Sequence, residues 1–294
     1  MIKSKEYKKY QYSINIIMIL ITLIMVLPLV LILSSSLTSE KALINYGYSF
    51  WPREFSLEAY KYIFQNKATI FRAYGLTILT TLIGTLAHVG IALMAAFALS
   101  IRKLPFRGVI NFYIFFTMLF SGGLVPSYIM WTQTFHIKNT IFAYLFPGLM
   151  LSAMNIILIR SYFMSSIPEA LYEAAEIDGA NYFQILWNVS LPLGKPILVT
   201  VGLFVGLNYW NSWVNGLYYI NDGRLYTIQV LLNKMIRDIQ ALQADASASA
   251  NALQIPAVSI RMAIAFVALL PILCIYPFLQ KYFAKGITLG AVKG

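Results

Sequence analysis

A chain of 294 residues that is 59% hydrophobic and only 11% charged has too little polar surface to cover a water-soluble globule. With a mean hydropathy of +0.70, its solvent is lipid. The net charge of +11 does not mark a nucleic-acid binder, because the basic residues lie between apolar runs and not in a patch interleaved with aromatics. The single cysteine, Cys274, excludes an internal disulfide framework, and no Cys/His cluster has metal-ligand spacing.

A helix rises about 1.5 Å per residue and a bilayer core is about 30 Å thick, so one crossing takes about twenty apolar residues. Six runs reach that length: 14–33, 74–100, 108–131, 141–163, 191–213 and 257–282. They are continuously apolar, which predicts helices and not an alternating barrel. The first run is long for a signal-peptide core and is expected to be retained, although Ser34, Ser35 and Ser36 leave a cleavage site open. Pro28, Pro126, Pro147, Pro271 and Pro277 are expected to bend helices without forbidding them.

Short-loop cations set the orientation. Lys3, Lys5, Lys8 and Lys9 precede the first run, Arg102, Lys103 and Arg107 join the second to the third, and Lys281, Lys285 and Lys293 follow the last. Six spans put all three groups on one side, predicted to be cytoplasmic, with both termini there. Segments 34–73 and 214–256 then face outward.

The connection between the fourth and fifth runs falls on the cytoplasmic side and holds Glu169, Glu173, Glu176 and Asp178, four of the chain's eleven acidic residues. Ser166 and Glu169 have capping-box spacing and Pro168 suits a first turn, so a short helix is expected to begin at Ser166. Glu169, Glu173 and Glu176 fall on one face of it. Gly179 is the natural stop, a second short helix passes through Phe183, Ile185 and Leu186, and Leu191-Pro192 starts the next span. Paired alanines and an exposed acidic face suit docking into a basic or polar groove. An amphipathic loop resting on the membrane is the plainer reading of the same pattern.

Glu173-Ala174-Ala175, Gly179, Val189 and Leu191-Pro192 together resemble the EAA signature of ABC importer permeases. Asp178-Gly179-Ala180, Leu193 and Pro196 are similar to its carbohydrate branch. Ser121-Gly-Gly-Leu-Val-Pro126 and the ending from Lys285 to Gly294 resemble MalG-type permeases of the LplC/YtcP-like subgroup. Val189 stands where the family often has isoleucine.

The resemblance implies an all-α integral membrane protein with the type I ABC importer permease fold. It would comprise an N-terminal tail, first helix and external segment (1–73), a five-helix permease core with a coupling loop at 166–192 (74–284) and a cytoplasmic tail (285–294). It implies that Glu173, Ala174, Ala175, Asp178 and Gly179 sit in a groove of a separate ATPase dimer, which binds ATP and Mg. A second, homologous permease and an extracytoplasmic solute-binding protein would complete the assembly in a bacterial cell membrane. The chain itself carries no phosphate-cradling Gly-x-x-x-x-Gly-Lys-Ser/Thr loop, so ATP hydrolysis is expected elsewhere and no cofactor in this chain. The Ala/Ser/Asn-rich stretch 244–252 is either a probe for the binding protein or a plain connecting loop.

For the solute path, Asn208, Asn211 and Ser212 are spaced to share one helix face beside tryptophans, where amides match sugar hydroxyls. An interfacial aromatic belt gives the same composition. Asn155 is a further candidate. His88 lies mid-span with no intramembrane carboxylate, which favours a hydrogen-bonded packing role over a proton relay. Arg261 suits snorkelling or an acidic sugar, and His136 lies in an outward loop. An ion-coupled secondary transporter would also have several spans, but neither internal repeats nor embedded ionisable pairs are evident. No nucleophile–base pair points to a membrane enzyme.

Overall fold

The computed structural model describes residues 5–65, 67–246 and 257–291. The chain runs α1 (Lys5–Ser36), α2 (Glu40–Tyr46), α3 (Glu58–Gln65), α4 (Lys67–Ser100), α5 (Arg107–Leu119) and α6 (Leu124–Ile129), then a π-turn at Met130–Thr134. There follow α7 (Phe142–Leu145), α8 (Ala153–Ser166), α9 (Glu169–Ile177), α10 (Tyr182–Ile185), a second π-turn at Leu186–Ser190 and α11 (Leu191–Trp210). Last come α12 (Val214–Tyr219), α13 (Ile228–Ala246) and α14 (Ala257–Ala291). Among the described residues the isolated β-bridge is Thr38 with Phe55, and no sheet forms.

The spans depart from the six continuous runs in two places. The run at 108–131 is two helices bent by 109° at a break after Leu119, where Gly123 takes a φ of +84° that an L side chain rarely adopts. Hydropathy does not register that break, because the flanking residues remain apolar. The run at 141–163 is also discontinuous. Pro147 and Gly148 (φ +70°) separate α7 from α8, whose 14 residues extend only about 21 Å, short of a full crossing. Four described helices are long and apolar enough to span, or five if the bent pair counts as one.

The chain divides into two compact units, 1–70 with 232–272 and 71–231 with 273–294. In the first unit, Ser34 Oγ donates to the Ser49 carbonyl at 2.8 Å, and the Ser36 and Tyr60 hydroxyls share a hydrogen bond of 2.8 Å. Glu40 of α2 accepts from the Val258 and Ser259 amides at 2.9 and 2.8 Å and from Ser259 Oγ at 2.9 Å. Its carboxylate thus satisfies open N–H groups at the start of α14.

In the second unit, α4, α8 and α11 bury one apolar cluster that includes Ala92, Ala96, Ile159, Phe163, Val201 and Val205. Lipid offers helices no hydrophobic drive to associate, so close approach through small residues matters more. Gly202 and Gly206, spaced Gly-x-x-x-Gly on α11, face Thr85 and Val89 of α4. His88 Nδ1 lies 2.6 Å from the Leu149 carbonyl, and Asn155 Nδ2 lies 2.9 Å from His88 Nε2. A carbonyl only accepts and an amide NH₂ only donates, so Nδ1 is the donor to Leu149 and Nε2 the acceptor from Asn155. Nε2 thus ties α4 to α8 and Nδ1 ties α4 to the segment between α7 and α8, the packing role, and neither nitrogen is left to relay a proton.

Gly84 of α4 has no room for a side chain. A Cβ there would overlap the Tyr209 ring, and Tyr209 is pinned by its hydroxyl donating to the Leu145 carbonyl at 3.0 Å. Gly84→Ala is expected to destabilise the purified chain by about 1–3 kcal/mol through overpacking. Gly90→Ala, at a position with open space, should leave the thermal midpoint unchanged.

Candidate functional site

The connection between α8 and α11 is built by local rules at each of its corners. Proline disfavours helical backbone in the residue before it, and Ile167 is extended (φ −105°, ψ 116°), so the chain breaks ahead of Pro168. Ser166 is consumed by the last turn of α8, and the helix start of α9 carries no side-chain cap. The expected Ser166–Glu169 capping box is therefore not formed. The reciprocal box belongs to Asn181 and Gln184: the Gln184 amide donates to Asn181 Oδ1 at 2.9 Å, and the Asn181 amide to Gln184 Oε1 at 2.8 Å.

Between them, α9 closes at Gly179, as its sequence position predicts. The Gly179 amide reaches the Glu176 carbonyl at 3.1 Å and the Ala180 amide the Ala175 carbonyl at 2.9 Å. This paired closure requires the left-handed φ of +79° found at Gly179. Downstream, the Leu191 amide reaches back five residues to Leu186. The wide turn sits immediately before Pro192, which has no N–H to give a regular helix, so α10 and α11 continue as one helix from Tyr182 to Trp210.

The loop has an inward and an outward side. Inward, Tyr172, Ala175 and Ala180 pack against the buried cluster that also holds Phe97, Phe163 and Ile185. The Tyr172 ring lies 6.4 Å from that of Phe97, and its hydroxyl accepts from Ser190 Oγ at 3.2 Å. Outward, Glu173, Ala174, Asp178 and Gly179 are exposed beside Ile177, which is 85% accessible. Of the five predicted docking residues, Ala175 is thus half-buried and anchors the loop, while the other four form its open edge.

The acidic face is less free than its sequence implies. Arg102 pairs with Glu169 and Lys103 with Glu176, each at 3.0 Å. The hydrogen bond that Lys103 donates to Glu176, reinforced by the carboxylate charge, raises the Lys103 pKa above the ordinary lysine value. Glu173 lies between the two pairs and makes no ion pair among the described residues. Beneath α9 is a cleft of about 280 Å³ lined by Arg102, Lys103, Glu169, Tyr172, Glu173 and Glu176. Sequence reasoning took Arg102 and Lys103 as orientation signals alone and overlooked Tyr172. The seven-residue spacing of Glu169 and Glu176, two helical turns, was the available cue for a pair of adjacent cations.

The candidates for a solute path are dispersed. Helix α11 ends at Trp210, so Asn211 and Ser212 lie beyond it and do not share a helix face with exposed Asn208. Asn211 Oδ1 accepts from Gln229 Nε2 at 3.4 Å, and Asn155 is engaged with His88. The outward stretch 244–252 is helical to Ala246, and 247–252 lie outside the described residues. No group of three metal-ligating side chains occurs among the described residues.

Comparison with known proteins gives this architecture relatives. Residues 88–289 match the family described as binding-protein-dependent transport system inner membrane component. The polygalacturonan/rhamnogalacturonan transport system permease protein YtcP of Bacillus subtilis is 34% identical over 262 residues, 89% of this chain and 90% of its own length. Protein LplC of the same organism is 34% identical over 264 residues, 89% and 87% of the two chains. Among solved structures, a chain of a bacterial ABC transporter involved in import of the acidic polysaccharide alginate superposes with a TM-score of 0.78 at 28% identity, covering 96% of this chain and 99% of that one. The helical architecture, the family match over more than two thirds of the sequence and these full-length likenesses together place the chain in the binding-protein-dependent transport family, as an ABC importer permease of the inner membrane.

Proposed function

We propose that this chain is one of two homologous, non-identical permease subunits that carry an oligosaccharide or polysaccharide-derived sugar inward by alternating access. An extracytoplasmic binding protein delivers the sugar, and a separate ATPase dimer, holding ATP and Mg, supplies the work from the cytoplasmic side, where both termini of this chain lie. The observation that carries the reading is the loop α9–Gly179–α10. It has an open edge of small and acidic residues on a base that is continuous with the membrane core. The sugar class draws support from the relatives, which include a polygalacturonan/rhamnogalacturonan permease and an alginate importer.

In this mechanism Glu173, Ala174, Asp178 and Gly179 meet the ATPase, and Ala175 ties the docked helix to the core. Small side chains allow close approach, and Glu173, which makes no ion pair among the described residues, offers its carboxylate to a cationic or polar partner. Because Tyr172 and Ala175 pack against the cluster shared by α4, α8 and α11, displacement of α9 is transmitted to three helices together. The Arg102–Glu169 and Lys103–Glu176 pairs fix the azimuth of α9 against the end of α4. Asn208, with Asn211, Ser212 and Asn155 nearby in sequence or span, is the polar set proposed to line the solute path.

Reconstitution with the companion permease, ATPase and binding protein should give ATP-dependent sugar uptake. Glu173→Lys and Gly179→Val, the latter placing a β-branched residue at positive φ, are each expected to abolish ATPase association or coupled uptake. Unimpaired uptake in both variants contradicts the docking role, and uptake by this chain alone on an ion gradient contradicts the importer reading. A separate measurement addresses the bracing. Lys103→Glu should speed hydrogen exchange of the α9 amides, and the exchanged pair Lys103→Glu/Glu176→Lys should restore it. If both behave like the unaltered protein, the pair does not hold α9.

A further inference from the structure

We propose that Arg107 and Arg160 form a site for the phosphate of an anionic phospholipid where α4, α5 and α8 meet. Both guanidiniums donate from Nε to one oxygen, the Leu99 carbonyl at the C-terminal turn of α4, at 2.9 and 3.0 Å. Phe106 holds a left-handed backbone (φ +55°) that reverses the chain and returns Arg107 toward Leu99. A single cation satisfies an open carbonyl at a helix C-terminus. Two full charges on one neutral oxygen leave an excess of positive charge that no ion pair among the described residues balances.

Of the carboxylates on α9, Glu169 is committed to Arg102 and Glu176 to Lys103, and Glu173 pairs with neither Arg107 nor Arg160. Neither Arg107 nor Arg160 makes an ion pair among the described residues. Arg107 Nη2 donates to Met164 Sδ at 3.1 Å, a weak acceptor. Its Nη1 and both terminal nitrogens of Arg160 have no acceptor among the described residues. Guanidinium forks offer parallel N–H donors whose spacing fits phosphate oxygens.

The surroundings select a lipid over a free ion. The first turns of α5 present Phe106, Val109 and Phe112 with 79%, 63% and 63% of their surface open. A ligand whose head reaches Arg107 therefore runs its apolar part along this face. The site lies between the polar end of a span and its apolar flank, the depth at which headgroup phosphates sit and at which basic pockets between helices take anionic lipids.

The test uses the full-length chain in detergent, titrated with phosphatidylglycerol or phosphatidylcholine and read by native mass spectrometry. The unaltered protein should retain phosphatidylglycerol in preference to phosphatidylcholine. R107Q/R160Q should lower that retention by at least about tenfold, about 1.4 kcal/mol. R53Q, in the outward segment, should not. R107K/R160K keeps both charges without the forks and should retain a weakened preference. This variant and the preference of the unaltered protein decide the matter if R107Q/R160Q loses helicity. Equal retention of the two lipids by the unaltered protein, or undiminished retention of phosphatidylglycerol by a folded R107Q/R160Q, overturns the site. Displacement of the lipid by millimolar inorganic phosphate would make it a free-anion pocket and overturn the lipid assignment.

Discussion

The packing of Tyr172 and Ala175 against the buried cluster that holds Phe97, Phe163 and Ile185 makes the α8–α11 connection the end of the membrane core and not an appendage to it. Burying a large apolar side chain contributes about 1.5–3 kcal/mol, so several such groups outweigh anything that two exposed ion pairs supply. Packing therefore sets where α9 sits, and the pairs to Arg102 and Lys103 set which face it turns outward. Most loops can shift without consequence for the elements they join. A loop whose inner side chains share a cluster with three helices cannot.

The same logic runs up the helices. Gly202 and Gly206 bring α11 against α4, Gly84 makes room for the Tyr209 ring, and His88 with Asn155 joins α4 to α8 by satisfied hydrogen bonds. The glycines let the helices approach closely, which matters because lipid gives no hydrophobic reward for helix association, and the His88–Asn155 hydrogen bond adds a polar tie. The result is a braced three-helix unit with one polar foot. Such a unit suits a permease that must pass a displacement across the bilayer.

Much of this was legible in the sequence, for physical reasons. Apolar runs report lipid exposure directly, so α1, α4, α11 and α14 lie on predicted runs. Gly179 was legible because a helix closure of this kind needs positive φ. Averaged hydropathy is blind to a bend at Gly123 and to a break at Pro147-Gly148, so the third and fourth runs read as continuous. The capping pattern was present twice, at Ser166–Glu169 and Asn181–Gln184, and only the second lacks a preceding helix that claims its first residue. The shared face of Asn208, Asn211 and Ser212 required α11 to continue past Trp210, which it does not. Arg160 was hidden in an apolar run, and its meeting with Arg107 joins positions 53 residues apart, a proximity that no local pattern encodes.

The central claim is that the open edge of α9 docks on a separate ATPase. A photoreactive amino acid at Ala174, in the transporter assembled with its companion subunits in membranes, tests it most directly. The account predicts an adduct with the mass of this chain plus the ATPase subunit, lost when the ATPase is omitted. Exclusive labelling of lipid at that position, with the ATPase present and active, would contradict it.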